Sequence, residues 1–232
     1  LMLQGLNTKK YSYASSIGVE AIPKPLIHLY KSNLSSFEQI SVREITAKNI
    51  LEAIINKPIR KVVDPTFLLD KNEWIAFSNS YTMLNFDTNT PYILCYFIAD
   101  NSFYWDSVGM IKQKTGIQRI VVLPMQPGHF QESDETIEDA GIQDFVYLIR
   151  HSSMVCTDSF HATAISINLN KEFLTLMRFA DKDVQSQNSR LSDLLRHYQL
   201  SDRLFDGKTF PLPIGEKYIS VNRILENDLS LI

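Results

Sequence analysis

Apolar positions along this chain recur with two different spacings, and the two alternate. In residues 44–55, Ile45, Ile50, Leu51, Ile54 and Ile55 fall at helical intervals, and Lys57-Pro58 ends the run. Short continuous apolar runs at 92–98, 119–123, 155–156 and 173–177 have the length of buried strands. Between them, 102–115, 142–151, 159–169 and 189–198 carry helical spacing, and 71–77 is a shorter helical stretch. Strands at 10–14, 39–42 and 61–63 precede this series. Strands separated by helices of this length predict an α/β protein, with Rossmann-like parallel sheets covered by helices on both faces.

Residues 78–90 lack periodicity and are rich in Asn, Ser, Thr and Asp, which predicts a linker. It would separate the end of one Rossmann-like domain, residues 1–77, from a second covering 91–232. The opening Leu1-Met2-Leu3 and a helical pattern still running at Ile232 read as cuts through a longer chain, with an N-terminal segment missing.

Composition narrows the function more by exclusion than by assignment. With 44% hydrophobic and 11% aromatic residues over 232 positions, the chain can build a packed core. A net charge of −3 without a basic run gives no support to a nucleic-acid partner. Cys95 and Cys156 sit far apart inside apolar runs, as buried thiols rather than a disulfide or zinc framework. The longest apolar run is of strand length, well short of a membrane span. Zinc spacings, a nucleophile elbow and a phosphate-cradling glycine loop are missing from the sequence.

Chemistry concentrates where strands run into helices, because ligands of such sheets bind beyond the carboxyl ends of the strands. The clearest corner is Cys156-Thr157-Asp158-Ser159-Phe160-His161. Thr157, Asp158 and Ser159 are helix N-cap types, and the amides of the following first turn favour an anion. His161 adds a titratable donor there, although a capped helix with a surface histidine reads equally well. Ser41-Val42-Arg43-Glu44 places an arginine where its fork can clamp a phosphate or carboxylate, or simply pair with Glu44. Asn188-Ser189-Arg190 puts another arginine in a helix's first turn behind Ser189 as N-cap, with Asp193 as a local partner. Gln126-Pro127-Gly128-His129 reads as a surface loop or a lid, and 132–139, with two Asp and three Glu, as a solvated face without defensible metal ligation.

Taken in order, these corners resemble the polysaccharide pyruvyl transferase family. The segments that carry the likeness are Ser12-Tyr13-Ala14-Ser15-Ser16-Ile17-Gly18, Ile40-Ser41-Val42-Arg43-Glu44 and Val63-Asp64-Pro65-Thr66-Phe67-Leu68-Leu69 with Trp74. Tyr92-Ile93-Leu94-Cys95-Tyr96-Phe97, the Thr157–His161 corner and Asn188-Ser189-Arg190 complete it. The chain departs from the family's usual pattern at Ser16-Ile17-Gly18 and at Ala162.

The resemblance implies a two-domain arrangement like that of the GT-B glycosyltransferases. It also implies transfer of pyruvate from phosphoenolpyruvate, as donor substrate and without a cofactor or metal, onto two hydroxyls of one sugar. His161 would be general acid towards the donor, and Asp158 would orient it or act as base, unless it is an N-cap. Arg43, Glu44, Tyr96, Gln126, Thr157, Ser159, Asn188, Ser189 and Arg190 would bind substrate. The acceptor would be a sugar or lipid-linked oligosaccharide, handled in the cytoplasm and at the inner face of the membrane beside glycan assembly. A nucleotide-sugar glycosyltransferase of the same fold, or a glycan-binding relic without catalysis, are the other readings.

Overall fold

The computed structural model describes residues 7–80, 85–130, 133–178, 188–205, 210–211, 213 and 217–230. The chain divides into two compact units, Leu1–Pro65 with Phe179–Leu194, and Thr66–Arg178 with Leu195–Ile232.

The first unit is built on three parallel strands, β1 (Tyr11–Ser15), β2 (Gln39–Val42) and β3 (Ile59–Lys61), in the order β1-β2-β3. Ile40 and Val42 of β2 pack with Ala47 and Leu51 of the helix α2 (Ile45–Ile54), Ile55 and Ile59 in one apolar cluster. β1 carries an irregularity between Ser12 and Ser15, where Ala14 takes φ 51°. The Ser41 hydroxyl stitches this bulge, accepting from Ala14 N (3.1 Å) and donating to Ser12 O (3.0 Å). A helix absent from the sequence pattern, α1 (Lys24–Leu34), follows Pro23 and buries only Asn33 and Leu34. The helix α7 (Asn188–His197) starts in this unit. Its Asp193 accepts from Thr46 N at 3.0 Å and so caps α2, whose own N-cap residue, Glu44, makes no side-chain cap bond.

The second unit is a six-stranded, all-parallel sheet. Its strands are β4 (Tyr92–Tyr96), β5 (Arg119–Leu123), β6 (Glu135–Thr136), β7 (Met154–Thr157), β8 (Phe173–Leu176) and β9 (Leu204–Phe205). They run in the order β6-β5-β4-β7-β8-β9. Ile93, Cys95 and Phe97 on one face meet Tyr104, Val108 and Ile111 of α4 (Ser102–Thr115). On the other face the Tyr92 hydroxyl donates to Leu148 O of α5 (Ile142–His151), at 2.6 Å. Strand order reverses between β4 and β7, so the crevice for a ligand opens beyond their carboxyl ends. α3 (Lys71–Ser80), α6 (Phe160–Asn168) and α8 (Lys217–Ser230) are the remaining described α-helices. No described helix is long and apolar enough to cross a membrane.

The division between units falls at Pro65/Thr66 rather than after residue 77, and residues 179–194 belong with the first unit rather than the second. Packing explains the difference. Thr66 O accepts from Trp74 Nε1 (2.9 Å) and Asn168 Nδ2 (3.4 Å), and the Phe67 ring lies 4.9 Å from Tyr198. Residues 78–80 are the last of α3, not linker, and 81–84 lie outside the described residues. The acidic stretch is also more than a solvated face. Asp134 accepts from Ile120 N (2.7 Å), and Glu135 lies in β6 and pairs with Arg119 at 2.5 Å.

Cys95 and Cys156 sit side by side in the β4–β7 register, unpaired and fully buried. Burial pushes both thiols above their ordinary range. Native protein is therefore expected to be inert to an aromatic disulfide reagent, and denaturant to release two thiols per chain. Rapid native reaction of either would show that this core is open to solvent.

Candidate active site

At the end of β7 the chain turns sharply into α6, and every polar group of the turn is placed. The Thr157 hydroxyl donates to Tyr96 O at 2.5 Å and accepts from Ser159 N at 3.0 Å. Ser159 is the N-cap, its hydroxyl accepting from Ala162 N at 3.4 Å. The buried Thr163 hydroxyl donates to Ser159 O and meets Thr175 of β8. Phe160 and His161 are then the first two helical residues, whose amides have their acceptors outside the helix. His161 is exposed, with its ring 5.5 Å from that of Phe160.

Asp158 does something other than cap the helix. Its carboxylate, fully buried, accepts from Ile98 N (2.7 Å), Ala99 N (3.0 Å), the Tyr104 hydroxyl (3.2 Å) and Arg178 Nε (3.1 Å). His161 is not among those donors. Three of these donors reach Oδ2 and one reaches Oδ1, so the carboxylate is held by the strand ends rather than by the helix it precedes. It fastens the ends of β4, β7 and β8 to one another. Burial, and after it the Asp158 charge, raise the Tyr104 hydroxyl's pKa, which keeps it a donor.

Arg178, just past β8, was not singled out from sequence, although its place at a strand's carboxyl end is the signal that marks the other corners. Its Nε and Nη2 hold Asp158, and its side chain is 19% exposed. Nη1 has no partner among the described residues. Through Asp158 this guanidinium stands at the turn that starts α6, where the first-turn amides and the His161 imidazole also sit. Such a set suits phosphate or carboxylate.

Tyr96 ends β4, with its ring 5.0 Å from Phe145 and nearly edge-on. Burial raises its hydroxyl's pKa, with the Asp158 charge second. Gln126 is exposed and donates to Ile98 O at 3.2 Å. The loop that carries it is anchored by His129, which is buried against Phe97 and Trp105. His129 Nδ1 accepts from Met125 N (3.3 Å), so Nε2 carries the proton and donates to Ala99 O (3.2 Å). The loop is thus a clasp on the end of β4, neither a plain surface loop nor a free lid.

In the first unit, Arg43 follows β2 with its Nη1 on Asp64 Oδ2 (2.5 Å) and its Nε on Glu44 Oε1 (3.3 Å). Both carboxylates are almost wholly buried. This is an interior ion cluster rather than a surface pair, and two of the guanidinium nitrogens face acids. Ser189 lies within α7, not at its cap, and its hydroxyl donates to Gly18 O at 3.3 Å. Asn188 and Arg190 flank it, half-buried. Asp193 accepts from Thr46 N and caps α2. Among the described residues no group of three or more His, Cys, Asp or Glu is placed to hold a metal ion.

Among solved structures the chain is similar to the UDP-GlcNAc 2-epimerase of Methanocaldococcus jannaschii in complex with UDP-GlcNAc and UDP. Identity is 16% over 83% of this chain and 61% of that one, with a TM-score of 0.43. The UDP-GlcNAc 2-epimerase of Neisseria meningitidis gives 12%, 91%, 69% and 0.45. The wall teichoic acid polymerase TagF gives 13%, 95%, 66% and 0.45. The chain spans 61% of the length of the first of these. No curated protein matches the chain. The sequence profile described as polysaccharide pyruvyl transferase matches residues 1–178, a stretch that holds the Arg43, Asp64, Tyr96, Asp158, His161 and Arg178 corners. On that match, which spans most of its length, the chain belongs to the polysaccharide pyruvyl transferase family.

Proposed function

We propose that this protein transfers pyruvate from phosphoenolpyruvate to a sugar as a cyclic ketal, in the synthesis of an exopolysaccharide or cell-surface glycan. The observation that supports it most is that His161 and the α6 N-terminus stand at the β7–α6 turn, onto which Arg178 is bonded through Asp158. Phosphoenolpyruvate carries a phosphate and a carboxylate on one three-carbon frame, and needs such donors. Protonation of its methylene carbon leaves a cationic centre at C2, which one sugar hydroxyl attacks, losing its proton. The second hydroxyl then displaces phosphate, giving the ketal and inorganic phosphate. His161 supplies the proton to carbon or to the departing phosphate. The reaction belongs in the cytoplasm, at the inner membrane face where the acceptor is lipid-linked.

Calorimetric titration with phosphoenolpyruvate tests this. Saturable binding is expected, weakened about tenfold or more in Arg178→Lys, because an ammonium keeps a charge beside Asp158 but loses the planar fork. Affinity unchanged by that substitution would remove Arg178 from the donor site. Saturation by a nucleotide sugar, with none by phosphoenolpyruvate, would replace the proposal with the glycosyltransferase reading.

A further inference from the structure

A cavity of about 290 Å³ opens in the second unit beyond the carboxyl ends of β4 and β5, where α5 begins. Tyr96 and Phe145, ring against ring, line it together with Leu123, Met125, Ile137 and Ile142. Glu138 stands among these lining residues. Ile142 is 70% exposed and Met125 52%, so apolar surface of the lining residues reaches solvent.

The acids around this cavity divide by occupation. Asp134 accepts from Ile120 N, Glu135 pairs with Arg119, and Asp144 accepts from Gly141 N at 3.0 Å. Glu138 is exposed and has no hydrogen bond or ion pair among the described residues. It is the acid of this stretch that both lines the cavity and keeps its acceptors open. An aromatic and aliphatic lining that also holds a carboxylate matches a pyranose, which presents C–H faces to apolar surface and a rim of hydroxyls to an acceptor.

We propose that this cavity is the subsite for a pyranose ring of the acceptor, with Glu138 accepting from its hydroxyls and the Tyr96–Phe145 pair packing on its C–H face. The assignment rests on the pyruvyl transfer reading for what the sugar is used for. Tyr96 links the two places, since its carbonyl accepts from Thr157 at the turn that starts α6. The cavity's size admits one ring with its substituents rather than a long oligosaccharide, so the subsite reads a residue and not a chain.

Saturation-transfer NMR on the full chain, with methyl glycopyranosides of the gluco, galacto, manno and N-acetylamino series, tests the subsite. At least one is expected to receive saturation through its ring C–H protons, and Glu138→Ala to raise its Kd about fivefold or more. Phosphoenolpyruvate affinity should stay unchanged in Glu138→Ala. Pyranoside binding indifferent to Glu138→Ala, or no pyranoside binding by a protein that still binds phosphoenolpyruvate, would overturn the subsite. Glu138-dependent binding of uridine in preference to every pyranoside would overturn it too. Failure of phosphoenolpyruvate binding with Glu138-dependent pyranoside binding retained would leave the subsite standing and remove the transfer reaction.

Discussion

Asp158→Ala is expected to cost the fold about 3–5 kcal/mol, the range for removing one partner from a buried charged network. The loss would leave the Ile98 and Ala99 amides, the Tyr104 hydroxyl and the Arg178 guanidinium without their shared acceptor. An unmatched guanidinium is the costliest of these, because its side chain is only 19% exposed. For a chain of this size the melting temperature should drop by about 6–20 °C. Asp158→Asn should cost less, as the amide oxygen still accepts while its NH₂ faces donors. A melting temperature within a degree of wild type for Asp158→Ala would show that the strand ends are held by something else.

His161→Ala should lower turnover about 10²- to 10⁴-fold while leaving the melting temperature nearly unchanged. The first figure is the range for a positioned acid–base group. The second expectation follows from exposure, since the imidazole fills no core space and the cap of α6 belongs to Ser159. The contrast with Asp158 is the point of pairing the two substitutions. One neighbour within the same turn should act on stability and the other on rate. Turnover of His161→Ala within threefold of wild type would remove the catalytic role.

The parallel sheet of the second unit was legible because its strands are buried on both faces and so read as unbroken apolar runs, as in Tyr92–Tyr96 and Arg119–Leu123. β6 and β9, at two residues each, are too short to show any period. α1 escaped notice because Leu26, Ile27 and Leu29 stay exposed, which blurs the apolar stripe that marks a helix. Polar composition marks residues 78–90 as a linker in the sequence, whereas the two compact units divide at Pro65/Thr66, just before Phe67 and Trp74.

At the site, the corner residues were visible as cap types following a strand. What each does depends on partners distant in the chain. The donors to Asp158 come from residues up to 60 positions away, which no local spacing encodes. Arg43 reads from sequence as a clamp or a pair with Glu44; that Asp64, 21 residues on, also holds it belongs to the packing of strand ends.

The Asp193 cap on α2 has a consequence for synthesis. Acceptor and donor are 147 residues apart, so a chain emerging from the ribosome finishes the strands of the larger unit through β8 before the smaller one receives its last hydrogen-bonding partner. A polypeptide ending at Arg178, where the family match ends, would contain every strand of the smaller unit yet leave the first turn of α2 uncapped. A single cut in the gene therefore cannot part the two units cleanly, because each is made of two segments that alternate along the chain.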